Sequence, residues 1–129
     1  KITEATIGLD FYSVVHKDLK VCLWDTAGEE RYHSLLPIYL RKAAIIVYVI
    51  SAQNIEKENY EYWRRFIDKN SDPNHKIIIV ITKCDLNKYF DRNDLIHLKN
   101  FFPEAIILYR YKNNISEKFV LNKLKLCNY

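Results

Sequence analysis

The 129 residues contain no methionine, and glycine occurs only twice, at Gly8 and Gly28. Without a methionine, Lys1 is not expected to be a translation start, and further sequence is expected upstream of it. The glycine shortage excludes a G-x-x-x-x-G-K-[ST] phosphate loop within these residues, because the two glycines stand twenty positions apart and such a loop needs them close together to turn successive backbone N–H groups onto a phosphate. Cysteine is also scarce. Cys22, Cys84 and Cys127 form an odd, widely spaced set without a CxxC or Cys/His cluster, which argues against a disulfide framework or zinc site and suits a reduced, cytosolic setting. No apolar run approaches the ~18 residues of a membrane span, and the opening "KITEATIG" lacks the apolar core of a signal peptide. The net charge of +4 is not gathered into any block of like charges, so it reads as solvated surface rather than a nucleic-acid or membrane-binding arm.

What is present is a core. Hydrophobic residues make up 49% of the chain, enough for one domain at this length. Residues 9–16, "LDFYSVVH", and 19–24, "LKVCLW", flank the polar pair Lys17-Asp18 and predict an antiparallel hairpin. The unbroken apolar runs 43–51 and 76–82, with a weaker one at 105–109, predict strands buried on both faces of a parallel sheet. Between them, Tyr60, Trp63, Phe66 and Ile67 recur at helical spacing in 56–69. Leu95, Leu98 and Phe102 do so in 92–102, and Phe119, Val120 and Leu124 mark a last helix capped by Asn114 and Glu117. Strands alternating with helices imply an α/β domain. Ligands of such sheets sit beyond the carboxyl ends of the strands, where this chain reads "DTAGEER" and "TKCD".

Those segments carry a family resemblance. "ATIGLDF" at 5–11, "WDTAGEER" at 24–31, "YLRKA" at 39–43 and "TKCD" at 82–85 together resemble switch I, switch II and the guanine-recognition motif of Ras-superfamily small GTPases, and most closely those of the Rab branch. The resemblance implies a P-loop NTPase-like G domain, mostly parallel with one antiparallel hairpin strand. It also implies that 1–129 is part of that domain, with the N-terminal strand and phosphate loop, about one βα step, lying upstream. The implied cofactors are GTP/GDP and Mg²⁺. Thr6 and Asp25 would be the metal-side oxygens and Gly28 the backbone approach to the γ-phosphate. Thr82, Lys83 and Asp85 would hold the base. A carboxylate suits guanine, whose two adjacent N–H donors match a bidentate acceptor, and the Lys83 stem can lie along the ring. Thr82 stands where asparagine is commoner, which keeps a hydroxyl but loses an amide.

Phe11, Trp24 and Tyr39 match an exposed aromatic cluster that effectors of the Rab branch read, with Ile7 and Gly8 beside it; burial of all three rings in the core is the plainer alternative. Glu29 falls where the family carries the glutamine that orients the attacking water. The family's serine-alanine-lysine base element should lie near 108–112, where the chain reads "LYRYK", and no residue is assigned to it. The ending "KLCNY" matches no prenylation signal, so membrane attachment follows from the family alone.

The resemblance thus implies a monomeric GTP/GDP switch of vesicle-mediated traffic, cytoplasmic and peripheral on endosomal or Golgi membranes. It would be met by effectors, an exchange factor and a GTPase-activating protein, without nucleic acid, and hydrolysis is expected to be slow. The 129 residues by themselves are expected to be inactive. Two alternatives stay open: a nucleotide-independent pseudo-GTPase that keeps the effector surface, and, from the strand pattern alone, a flavodoxin-like binding domain.

Overall fold

Two sheets, rather than one, organise the chain. The computed structural model describes residues 8–26, 28, 30–86 and 92–110. The expectations for Thr6, Ile7, Glu29 and the last helix around Asn114 and Glu117 lie outside the described residues. β1 (Leu9–His16) and β2 (Leu19–Thr26) pair antiparallel, with His16 opposite Leu19 across the turn. Lys17 opens that turn at φ 55°, the left-handed value that the first central residue of a type II′ hairpin turn requires. β3 (Ile45–Ser51), β4 (Lys76–Thr82) and β5 (Ile106–Tyr109) form a parallel sheet in the order β3-β4-β5. Among the described residues β2 and β3 are not paired, so each is an edge strand of its own sheet.

Helices α1 (Leu36–Leu40), α2 (Lys57–Asn70) and α3 (Arg92–Phe101) link these strands. A 3₁₀ turn, Glu30–Leu35, runs directly into α1, whose second residue, Pro37, brings its preset φ to the first turn. The core lies between one face of the parallel sheet and α2 and α3. Ile46, Tyr48, Ile50, Ile77, Ile79 and Ile81 from the strands meet Tyr60 and Ile67 of α2 and Leu98 of α3, closed by Phe102. Arg64 of α2 reaches across to Glu104 in the turn before β5 and also holds Asp68 at 2.9 Å, fastening the helix layer to the sheet's far end.

The expected burial on both faces holds for β4, where Ile77, Ile78, Ile79 and Ile81 are all buried, and fails for β3. Along β3 burial alternates: Ile46, Tyr48 and Ile50 are inside, whereas Val47 and Val49 are 43% and 59% exposed. The reason is positional. β3 is an edge of its sheet, and among the described residues the helices cover only the face that Ile46, Tyr48 and Ile50 present.

Candidate functional site

The parallel sheet brings its carboxyl ends into line. Ser51 of β3 is in register with Thr82 of β4, and Tyr109 of β5 with Ile81. The "TKCD" segment therefore leaves the sheet at its centre. Thr82 Oγ1 donates to the Ile50 carbonyl at 3.4 Å, so the hydroxyl standing in for the commoner amide ties β4 to β3. Lys83 then adopts φ 56°, a left-handed conformation that costs a non-glycine residue about 1–2 kcal/mol and is held here by its surroundings.

Those surroundings are mostly backbone. Cys84 N–H donates to the Arg110 carbonyl at 3.3 Å, Arg110 N–H donates to the Ile81 carbonyl at 2.7 Å, and Leu86 N–H closes a turn onto the Lys83 carbonyl at 3.0 Å. The buried Cys84 thiol donates to the Ile81 carbonyl at 3.3 Å. Burial pushes its pKa up, which keeps it a neutral donor. With Cys84 turned inward as an anchor, Lys83 and Asp85 on either side are left exposed, the arrangement needed to place an ammonium stem and a carboxylate against a flat ligand. Arg110, part of the segment where the third base element was expected, thus meets the loop through its main chain.

A second group gathers at the hairpin's open end. Asp25 is exposed near the end of β2, directly opposite Asp10, a neighbour that sequence reasoning did not single out although the alternation of the strands implies it. Among the described residues no cluster of three or more His, Cys, Asp or Glu could cage a metal. Gly8 has φ 75°, so glycine is needed there for conformation. Among the described residues nothing lies within 4 Å of where a Cβ on Gly28 would stand.

Three of the aromatic residues named from the resemblance lie together. Phe11 and Trp24 face each other across the hairpin with ring centroids 4.6 Å apart, and Trp24 meets Tyr39 of α1 at 4.8 Å. Phe11 and Trp24 remain about half exposed, at 51% and 50%. The rings are therefore a surface cluster and not core. An apolar cleft of about 360 Å³ between α3 and β5, lined by Leu95, Ile96, Lys99, Ala105, Ile107 and Tyr109, contains none of the motif residues.

Comparison with known proteins agrees with this geometry. Residues 1–85 match the family model described as Ras of Complex, Roc, domain of DAPkinase. The chain is 33% identical over 120 residues to the Ras-related protein rab-11.1 of Caenorhabditis elegans, covering 88% of this chain and 52% of that protein. It is 32% identical over 120 residues to the GTP-binding protein ypt3 of Schizosaccharomyces pombe, with 88% and 51% covered. To the Ras-related protein Rab5 of Nicotiana tabacum it is 40% identical over 90 residues, with 64% and 44% covered. The chain spans about half the length of these relatives.

Proposed function

Since the chain belongs to the Rab family of Ras-superfamily small GTPases, we propose that it is the switch and base-recognition part of a G domain that alternates between GTP and GDP in vesicle-mediated membrane traffic. The observation that carries this is the 82–85 loop. Buried Cys84 and the main chain of Arg110 hold it at the carboxyl end of a parallel sheet and leave the Asp85 carboxylate exposed.

In this reading Asp85 accepts from the two adjacent N–H groups of guanine, and Lys83 lays its stem along the base. Asp25 and Thr6 would hold Mg²⁺ through their side-chain oxygens, and the Gly28 amide would meet the γ-phosphate. Mg²⁺, when bound, supplies charge neutralisation at the phosphates, and the protein contributes position rather than covalent chemistry. Glu29 takes the water-orienting place, so hydrolysis is slow. Phe11, Trp24 and Tyr39, with Ile7 and Gly8, form the surface that effectors read, while an exchange factor and a GTPase-activating protein reset the switch. Among the described residues no helix is long and apolar enough to cross a membrane. Attachment to endosomal or Golgi membranes would be peripheral.

The test is Asp85→Ala in a chain that carries its phosphate loop. Losing two charge-assisted hydrogen bonds of about 1.5–3 kcal/mol each should weaken GTP binding at least about a hundredfold, with ATP binding unchanged in a fluorescence titration. Equal GTP affinity in the variant would remove the assignment. A second reading, a nucleotide-independent module keeping the same surface, is favoured by one observation. The Phe11–Trp24–Tyr39 contacts need only the hairpin and α1.

A further inference from the structure

His33 lies in the 3₁₀ turn Glu30–Leu35, between β2 and α1, and its imidazole is set among rings that all belong to α2. Trp63 meets it edge-on at 4.9 Å between centroids, Tyr62 lies nearly parallel at 6.3 Å, and Phe66 stands at 6.4 Å. The Tyr62 hydroxyl is 3.5 Å from Nδ1. With that hydroxyl donating, the proton sits on Nε2, which is buried and, among the described residues, has no oxygen or nitrogen partner and meets aromatic rings as weak acceptors. A buried, unpaired N–H costs free energy, so the site is held by ring packing. The same three rings contact one another, Tyr62 with Trp63 at 5.4 Å and Trp63 with Phe66 at 5.5 Å, and Trp63 reaches Tyr48 in the core. The imidazole is therefore inserted into a cluster that is already built, and it joins the turn to α2.

We propose that His33 is a positioning residue, a latch that holds the Glu30–Leu35 turn on α2 through Tyr62, Trp63 and Phe66, so that the turn and the outer face of α2 move together. Tyr62, 46% exposed, would then present to a protein partner a surface that differs with the state of the turn. The coupling to nucleotide rests on the GTP/GDP reading above; the latch itself does not.

Arg31, exposed in the same turn, makes the latch measurable as trypsin cleavage after that residue, with cleavage after exposed Lys69 near the end of α2 as the local control. The experiment uses the full-length protein loaded with GDP or with a non-hydrolysable GTP analogue. In the wild type one nucleotide form should protect Arg31. His33→Ala should raise cleavage after Arg31 in that form by about tenfold, the scale of one lost aromatic contact read through the population of the open turn, and leave Lys69 unchanged. His33→Phe, which keeps the ring, should restore protection. Tyr62→Ala, altering a partly exposed side chain, should reproduce the loss and decides the matter if His33→Ala fails to fold. Unchanged cleavage after Arg31 in Tyr62→Ala and His33→Ala would overturn the latch. Equal wild-type cleavage in both nucleotide forms, with faster cleavage in the variants, would uphold the latch and overturn the switch reading instead.

Discussion

Replacing Glu29 by glutamine raises single-turnover GTP hydrolysis by up to about a thousandfold in a chain that carries its phosphate loop. A glutamine amide accepts from the attacking water and donates to a phosphoryl oxygen at once, whereas an ionised glutamate only accepts. In the water-orienting place proposed for Glu29, its charge would also face phosphate. At ~4 Å and an effective dielectric of ~20, two like charges repel by about 4 kcal/mol, which is about a thousandfold in rate if nothing relieves it. Rotation of the glutamate into solvent would reduce the gain, since it removes the repulsion while still leaving the water unoriented. Both situations predict a faster Glu29→Gln enzyme. Rapid mixing of the protein-bound GTP complex with Mg²⁺, followed by quantification of GDP, measures the rate; an unchanged or slower variant would mean that Glu29 is not in the water's path.

Residues 1–129 expressed by themselves show no sharp thermal transition and no sub-micromolar GTP affinity. Among the described residues β2 and β3 each have an unpaired edge, and they belong to different sheets. An isolated two-stranded hairpin is marginally stable at best in water. The hairpin here exposes Phe11, Tyr12, Val15, Leu23 and Trp24, while β3 exposes Val47 and Val49. A strand placed between β2 and β3 would add ladder hydrogen bonds worth about 1 kcal/mol each. It would also bring burial of Val47 and Val49 within reach, at about 1.5–3 kcal/mol per side chain. Together these rival the whole stability of a typical domain, about 5–15 kcal/mol. Calorimetry of the isolated polypeptide against a version extended by an upstream strand makes the comparison. A single cooperative transition in the short form, with tight GTP binding, would refute it.

The elements with a strong local signal were legible in advance. β4 was read at its observed bounds of 76–82 because isoleucine after isoleucine has nowhere to go but a buried strand. α2 was displaced by one residue at each end, since its aromatic stripe fixes the face but not the first turn. The 3₁₀ turn and the short α1 were not foreseen, because a five-residue helix offers too few repeats for a period to show. Spacing placed Phe11 and Trp24 on adjoining strands, but their exposure depends on what else packs there. Thr82, Lys83 and Asp85 could be named only through the family resemblance, whereas the left-handed backbone at Lys83 and the inward turn of Cys84 are products of the neighbouring strand. His33 could not be singled out either, since its ring partners lie about thirty residues away in sequence and only the fold brings them together.

The two backbone hydrogen bonds made by Arg110 carry a consequence for how this chain can change over generations. Because the 82–85 loop is fastened to β5 through Arg110 N–H and C=O, which every residue but proline possesses, the exposed side chain at position 110 can change while the loop keeps its place. Selection at position 110 would act against proline and remain nearly blind to other replacements, and the placement of a loop can thus outlive the side chains of the strand that holds it.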